Sequence, residues 1–225
     1  MSEPTEKKHR ILVVDDHPLF CEGLRQMIER DPDLQVCGEA PTEEEAMKAV
    51  PRLRPDLVIV DISLGTGSGI DLVKEIKAGY PSIPILVISM HEEEVYAERA
   101  LRAGALGYVM KQEPGRVVKA AIRKALSGQV HMSERMSSSL IGKLLRAGGV
   151  PETPIQTLSD RELDVFRLLG EGKATREIAE RLGVTQTTVN SFRARIKEKL
   201  GVANAEEVKT YAAHWLERGT GGPQG

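Results

Sequence analysis

The sequence predicts an α/β protein built on a doubly wound, parallel five-stranded sheet and followed by an all-α, four-helix domain. Three observations carry this. Short apolar runs rich in β-branched residues recur five times before residue 130, and each is separated from the next by a stretch of helical periodicity. The runs are apolar throughout, as in strands covered on both faces. Beyond Leu158 the strand pattern is absent and capped helical segments replace it. A chain of 225 residues has room for one large or two modest domains.

The strand candidates in order are Ile11–Val14, Leu34–Cys37, Leu57–Val60, Ile85–Ile88 and Leu106–Met110. Between and after them lie helical stretches at about Leu19–Arg30, Glu43–Leu53, Gly69–Ala78, Glu93–Ala103 and Gly115–Leu126. Five βα units joined by right-handed crossovers give the sheet. Residues 128–157 read as a linker punctuated by Gly128, Ser137–Ser139, Gly148, Gly149, Pro151 and Pro154. Leu140, Ile141, Leu144 and Leu145 are spaced for one short helix inside it. In residues 158–217, Ser159 and Glu162 form a capping box for a helix ending near Gly170 and Gly172. Thr175 and Thr185 are read as caps of the next two helices, and Asn204 with Glu207 opens a fourth. Residues 218–225 read as a disordered tail.

Composition narrows the class of protein. Apolar residues at 40% and charged residues at 28% describe an ordinary globular chain. There is no apolar run long enough to span a membrane and no apolar segment behind the polar N-terminus, so neither a membrane span nor a secretory signal is expected. Two cysteines, Cys21 and Cys37, do not make a disulfide framework, and a cytoplasmic location is the simplest reading. Charge is unevenly placed. Residues 1–130 hold 17 Lys/Arg and 21 Asp/Glu, net −4; residues 131–225 hold 14 and 12, net +2. Two different tasks are implied.

Ligands of open parallel sheets bind beyond the carboxyl ends of the strands. The first strand is followed by Asp15 and Asp16, the third by Asp61, the fourth ends at Ser89, and the fifth is followed by Lys111. A lone Asp after a strand is ordinarily a turn or a helix cap. Five suitable groups at four strand ends need another account. Three carboxylates repel unless a cation sits among them, and an all-oxygen set suits Mg²⁺ with a phosphate partner. A hydroxyl and a lysine complete a pocket for phosphoryl transfer onto an aspartate.

These residues in their sequence context closely resemble the receiver domain of bacterial two-component response regulators over residues 9–127. The matching text is Ile11-Leu-Val-Val-Asp15-Asp16-His17-Pro18, Asp61-Ile-Ser with Gly69, Ile88-Ser89, and Gly104-Ala-Leu-Gly107-Tyr108-Val-Met-Lys111. The resemblance implies a flavodoxin-like fold, with Asp61 as the phosphoacceptor of a sensor histidine kinase. It implies Asp16 as a direct Mg²⁺ ligand, Asp15 as a ligand through water, and the Ser63 backbone carbonyl as a further ligand. Ser89 would be the switch hydroxyl and Tyr108 the switch aromatic, which should move inward on phosphorylation. Ser63 and His91 hold positions where related receivers set the access of water to phosphorus. Two positions depart from the common pattern: Gly65 stands where receivers commonly have proline, and Gln112 follows Lys111 where many have proline.

In the second half, Ala179, Gly183 and Val189 supply a small residue, a turn and an apolar anchor at the spacing of a helix-turn-helix. Val189, Phe192, Ile196 and Leu200 form the core stripe of the following helix. Asn190, Arg193, Ala194 and Lys197 take another face, flanked by Arg195 and Lys199. Leu158-Ser-Asp-Arg-Glu162, Glu177 to Val184, Thr188-Val189 and Lys199-Leu-Gly-Val202 resemble the LuxR-type helix-turn-helix. A receiver joined to that domain is the architecture of the NarL/FixJ family of transcriptional regulators. The resemblance implies double-stranded DNA as a partner, contacts from Thr188, Asn190, Ser191, Arg193, Ala194, Arg195, Lys197 and Lys199, and a homodimer. Dimer contact is expected from the last helix, where the stripe Val208, Tyr211, Ala212 and Trp215 is wider than one small core needs; the alternative is that part of that stripe is core. Asn190 and Phe192 replace the family's frequent lysine and histidine, so base preference cannot be copied from relatives. The protein is thus expected to regulate transcription and not to act as an enzyme. The alternatives are a regulator independent of phosphorylation and a Mg²⁺-dependent phosphohydrolase, which would want a carboxylate where Ser63 stands.

Overall fold

In the computed structural model, residues 8–65, 67–90, 93–145 and 154–217 are described. The chain forms two compact units, the first ending at Ile141 and the second beginning at Gly142.

The first unit contains strands β1 (His9–Val14), β2 (Leu34–Ala40), β3 (Leu57–Val60), β4 (Ile85–Ser89) and β5 (Gly107–Met110). They pair in parallel in the order β2-β1-β3-β4-β5. The helices are α1 (Pro18–Ile28), α2 (Glu43–Leu53), α3 (Gly69–Gly79), α4 (Glu93–Arg102) and α5 (Gly115–Leu126). Alternate strand residues serve opposite faces. Ile11, Val13, Ile59, Leu86 and Ile88 pack with Leu24, Ile28, Val118 and Ile122 of α1 and α5. Their neighbours Leu12, Val14, Val58, Val60 and Val87 are also fully buried. This explains the unbroken apolar runs in the sequence.

Two features of this unit lie outside the sequence reading. Ser63–Leu64 pairs antiparallel with Gly67–Ser68, a small hairpin in the segment where Gly65 stands in place of the common proline. The segment read as the start of a linker is built onto the first unit. The His131 amide donates to the Leu106 carbonyl at 2.8 Å, and His131 bridges to Gly107 on the edge strand β5. Ser133 then caps helix α6 (Glu134–Leu145), donating from its hydroxyl to Glu93 at the start of α4. The physical reason is edge protection: β5 has unpaired backbone groups, and the extended chain after α5 satisfies some of them. The rest of the linker reading, residues 146–153, the tail 218–225 and His91 lie outside the described residues.

The second unit holds a short 3₁₀ turn (Pro154–Thr157) and helices α7 (Asp160–Gly170), α8 (Thr175–Leu182), α9 (Gln186–Leu200) and α10 (Ala205–Glu217). The predicted capping box is present, with Ser159 and Glu162 exchanging side-chain and backbone bonds. Thr185 accepts from the Thr188 amide at 3.1 Å, as expected of an N-cap. Thr175 does not cap α8. Ala174 occupies that position, and Glu177 reaches back to its amide at 2.8 Å, which satisfies the end without a hydroxyl.

Candidate functional site

The acidic pocket forms because the backbone pairing of the strands continues past their ends. The Asp15 amide donates to the Ala40 carbonyl at 3.1 Å, the Asp61 amide to Val14 at 2.8 Å, and the Lys111 amide to Ser89 at 2.7 Å. These bonds place the functional side chains on one rim. Lys111 Nζ lies 2.6 Å from Asp15 Oδ2 and 2.8 Å from Asp61 Oδ2. All three side chains are nearly inaccessible to solvent. Ser89 is also fully buried. The Asp16 carboxylate is half-buried and accepts from the Gly65 amide at 2.9 Å.

The electrostatics follow from burial. Desolvation pushes the Asp61 carboxyl up to about 6; Lys111 pulls it down, and Asp15 adds to the rise. Burial also opposes the Lys111 charge, but attraction to Asp61 and bonds to Asp15 and Asp61 outweigh it and hold its pKa above the ordinary value. Asp61 Oδ1 and Asp16 Oδ1 are buried without a hydrogen-bond partner among the described residues. Each such oxygen is costly unless something fills the space beside it. Donor atoms of Asp15, Asp16, His17 and Asp61 lie within 4.8 Å of one another, a grouping fit for a cation.

Some of the pocket's residues were not singled out by sequence reasoning. His17 Nδ1 is 3.0 Å from Asp15 Oδ1 in hydrogen-bond contact, and 2.8 Å from Asp16 Oδ1 without hydrogen-bond geometry. Lys111 Nζ stands 4.5 Å from the centre of the Phe20 ring, a favourable site for a cation. Gly69 passes so close to Asp61 that a Cβ there would lie 1.8 Å from the Asp61 carbonyl oxygen. The glycine was visible in the sequence, but its contact was not. Glu43 of α2 closes the hairpin by accepting from the Ser68 amide. Tyr108 is buried, 2% exposed.

In the second unit, Gly183 ends α8 in the left-handed region at φ 64°, and the Val184 amide reaches back to Ala179 at 3.0 Å. This five-residue return bond turns the chain sharply into α9. Ala179 and Val189 are buried on either side of the turn. The resulting helix-turn-helix leaves Asn190, Ser191, Ala194, Arg195 and Lys197 exposed on α9, with Thr188 and Arg193 half-buried. Thr188 Oγ1 lies 2.9 Å from Thr185 Oγ1. Arg193 donates to Thr175 Oγ1 at 2.9 Å.

Three groups of side chains in this domain make contacts that the sequence did not show. Lys199 Nζ donates to Glu162 Oε2 at 2.6 Å and to the Thr157 carbonyl at 3.0 Å, so its ammonium group is engaged inside the domain although the side chain is 38% exposed. The buried Glu162 carboxylate, 3% exposed, demands a counter-charge, and Lys199 supplies it. Phe192 is half-buried, with the Arg195 guanidinium 5.0 Å from its ring centre, and Val189 and Ile196 alone on that stripe are buried. On α10, Val208 and Ala212 are buried core. The rings of Tyr211 and Trp215 sit 6.0 and 5.6 Å from Phe166 of α7, so part of the stripe packs within the domain, while Tyr211 stays 38% exposed.

Comparison with known proteins agrees with this geometry. Residues 11–123 match the family model of the response regulator receiver domain, and residues 156–212 match that of bacterial regulatory proteins of the luxR family. The chain is 31% identical over 203 residues to the DNA-binding transcriptional activator DevR/DosR of Mycobacterium tuberculosis, covering 90% of this chain and 93% of that one. It is 30% identical over 208 residues to the oxygen regulatory protein NreC of Staphylococcus carnosus, covering 90% and 96%. Among solved structures, RcsB from Salmonella enterica serovar Typhimurium, bound to promoter rprA in the presence of phosphomimetic BeF3-, matches with a TM-score of 0.59 and 28% identity. That match covers 92% of this chain and 99% of RcsB.

Proposed function

The chain belongs to the NarL/FixJ family of response regulators, which join a receiver domain to a LuxR-type helix-turn-helix, and on that premise we propose that Asp61 accepts a phosphoryl group from a sensor histidine kinase and thereby controls DNA binding by α9. The observation that carries this is the state of the Asp61 carboxylate. It is buried, one oxygen is engaged by Lys111, and the other has no hydrogen-bond partner among the described residues. A carboxylate oxygen of Asp61 forms the new bond to phosphorus while the bond from phosphorus to the kinase imidazole nitrogen breaks. Lys111 can then pair with the added negative charge, and Ser89 can donate a hydrogen bond to a phosphoryl oxygen.

The unpartnered carboxylate oxygens and the oxygen-rich donor set fit Mg²⁺. Asp15, Asp16, Asp61 and the Ser63 carbonyl would hold it, with Asp15 acting through water. When bound, the ion supplies positive charge that offsets repulsion between the carboxylates and the incoming phosphoryl oxygens. Phosphate on Asp61 recruits Ser89, Tyr108 follows inward, and the packing of the face built from α4, β5 and α5 changes. The packed face is the two-state element, and the phosphoryl group is the local charge change that biases it.

At the other end of the chain, α9 enters the major groove. Asn190 is the residue that reads a base, because a carboxamide can bond an adenine edge in two places. Thr188, Ser191, Arg193, Ala194, Arg195 and Lys197 line the same contact, and the cations carry the salt dependence. Binding as a homodimer on two half-sites suits this geometry. The working domains are a receiver over residues 9–127, with its edge covered as far as Ser133, and a helix-turn-helix over 158–217. A cytoplasmic location is supported by the free thiols of Cys21 and Cys37, and no helix among the described residues is long and apolar enough to cross a membrane.

The test is intact-mass measurement after treatment with acetyl phosphate and Mg²⁺. Wild type should gain one phosphoryl group and bind DNA more tightly, and Asp61→Asn should do neither while keeping its fold. Label retained on the variant would move the acceptor elsewhere. Ser63 offers no carboxylate for general-base hydrolysis, so steady turnover of an external phosphate ester is not expected.

A further inference from the structure

The second unit contains a cavity of about 380 Å³ that the helix-turn-helix reading leaves unassigned. It is lined by Lys173 and Thr175 at the start of α8, Arg193 of α9, Lys209 of α10 and the apolar wall of Leu169. Three cations from three separate elements thus converge on one hollow. None is fully exposed; each is half-buried, as is Thr175. Among the described residues, no carboxylate forms an ion pair with Lys173 or Arg193. Lys209 has only Glu206, one turn back on α10 at 3.2 Å, an exposed pairing worth little. Glu171, the acid nearest the cavity in sequence, pairs with Arg167 and Arg181, and Glu177 is turned to the Ala174 amide. Arg193 donates to the Thr175 hydroxyl at 2.9 Å, which holds the guanidinium at the cavity wall.

Three cations lining one hollow, two of them with no ion-paired carboxylate among the described residues and the third with only an exposed one, repel one another, and the arrangement is relieved by an anion with several acceptor oxygens. We propose that this cavity holds a phosphodiester group of the DNA backbone, with Lys173, Arg193 and Lys209 as its cations and Thr175 as a hydroxyl donor. The proposal rests on the helix-turn-helix reading and extends it to residues on α10 and before α8. In a helix-turn-helix the first helix crosses the backbone while the second lies in the groove, so a pocket shared by the start of α8 and the middle of α9 borders a phosphate. Its function is to fix the register of α9, since phosphate contacts position a protein on the duplex without reading its sequence.

The experiment uses the full-length protein. Binding of wild type, Lys173→Ala, Lys209→Ala and Lys197→Ala is measured on a selected site and on random DNA across salt. Each cavity variant should lower the salt slope by about 0.9 and weaken both DNAs alike, by roughly eightfold at 0.1 M salt relative to 1 M. The ratio of specific to random binding should not change. Unchanged slopes in both cavity variants overturn the proposal. If Lys197→Ala also has no effect, the helix-turn-helix reading itself has failed. Titration with inorganic phosphate in the absence of DNA, followed by Trp215 fluorescence, separates the sources of the anion. Phosphate binding that requires Lys173 while the DNA slopes stay at the wild-type value assigns the cavity to free phosphate and rejects the backbone.

Discussion

Replacing Lys199 by Met should destabilise the second domain without removing a DNA contact. Its ammonium group is bonded to the Glu162 carboxylate and the Thr157 carbonyl, tying α9 to the start of α7. The Met side chain keeps the apolar stem and removes the charge. Glu162, 3% exposed, is left with the Ser159 amide. Breaking a fully buried pair costs about 3–5 kcal/mol, whereas an exposed one costs at most about 1 kcal/mol. Lys199 is 38% exposed, so water screens one side of the pair and about 2 kcal/mol is expected. For a domain this small, that lowers the melting temperature by roughly 10 °C. Trp215 is the chain's single tryptophan and packs on Phe166, so its fluorescence reports unfolding of this domain. The loss should depend on pH. Burial would raise the Glu162 pKa, but the Lys199 and Ser159 bonds outweigh it and hold the carboxyl below its ordinary 4.5. The pair's contribution is therefore present above that value and disappears as pH falls through the folded-state pKa. Wild type and variant should differ fully at pH 7 and converge in acid. At a temperature where both are folded, the salt slope of DNA binding should match. A variant as stable as wild type, with a slope lower by about 1, would show Lys199 to be a free DNA contact and refute the argument.

Gly69→Ala should cost about 3 kcal/mol or more and slow phosphorylation, because the added methyl meets backbone at Asp61 and α3 must move away from it; a urea melt by circular dichroism within about 0.5 kcal/mol of wild type would contradict this. Lys111→Met leaves buried Asp15 and Asp61 facing each other without their cation, which should cost about 3–5 kcal/mol in EDTA and less in Mg²⁺. Equal losses in both buffers would remove the cation site from the explanation. Asn190→Ala should cost roughly 1–3 kcal/mol on a preferred site and little on random DNA, whereas Lys197→Ala should weaken both alike. An unaltered specificity ratio in Asn190→Ala would assign base reading to another residue.

The sequence alone was sufficient for the order of elements, the sheet type and the acidic rim. Strands covered on both faces must be apolar throughout, helices covered on one face must show their period, and chemistry at strand ends must sit next to the runs. Those are local rules, written into the positions of Val14, Asp15, Asp61, Ser89 and Lys111. Capping is also local, and Ser159 with Glu162 and Thr185 were legible for that reason. What only tertiary structure decided was the use of groups whose partners lie far along the chain. Lys199 reads as one more basic residue on a helix until Glu162, 37 residues earlier, is placed beside it. Gly69 reads as the first residue of a helix until the backbone of Asp61 passes under it. The segment after α5 reads as a free linker until the edge of β5 offers it backbone partners. Lys173, Arg193 and Lys209 form a pocket only once three helices have packed. Periodicity encodes which face of an element is buried; it does not encode which distant charge or backbone atom that face will meet, because that depends on how the whole core closes.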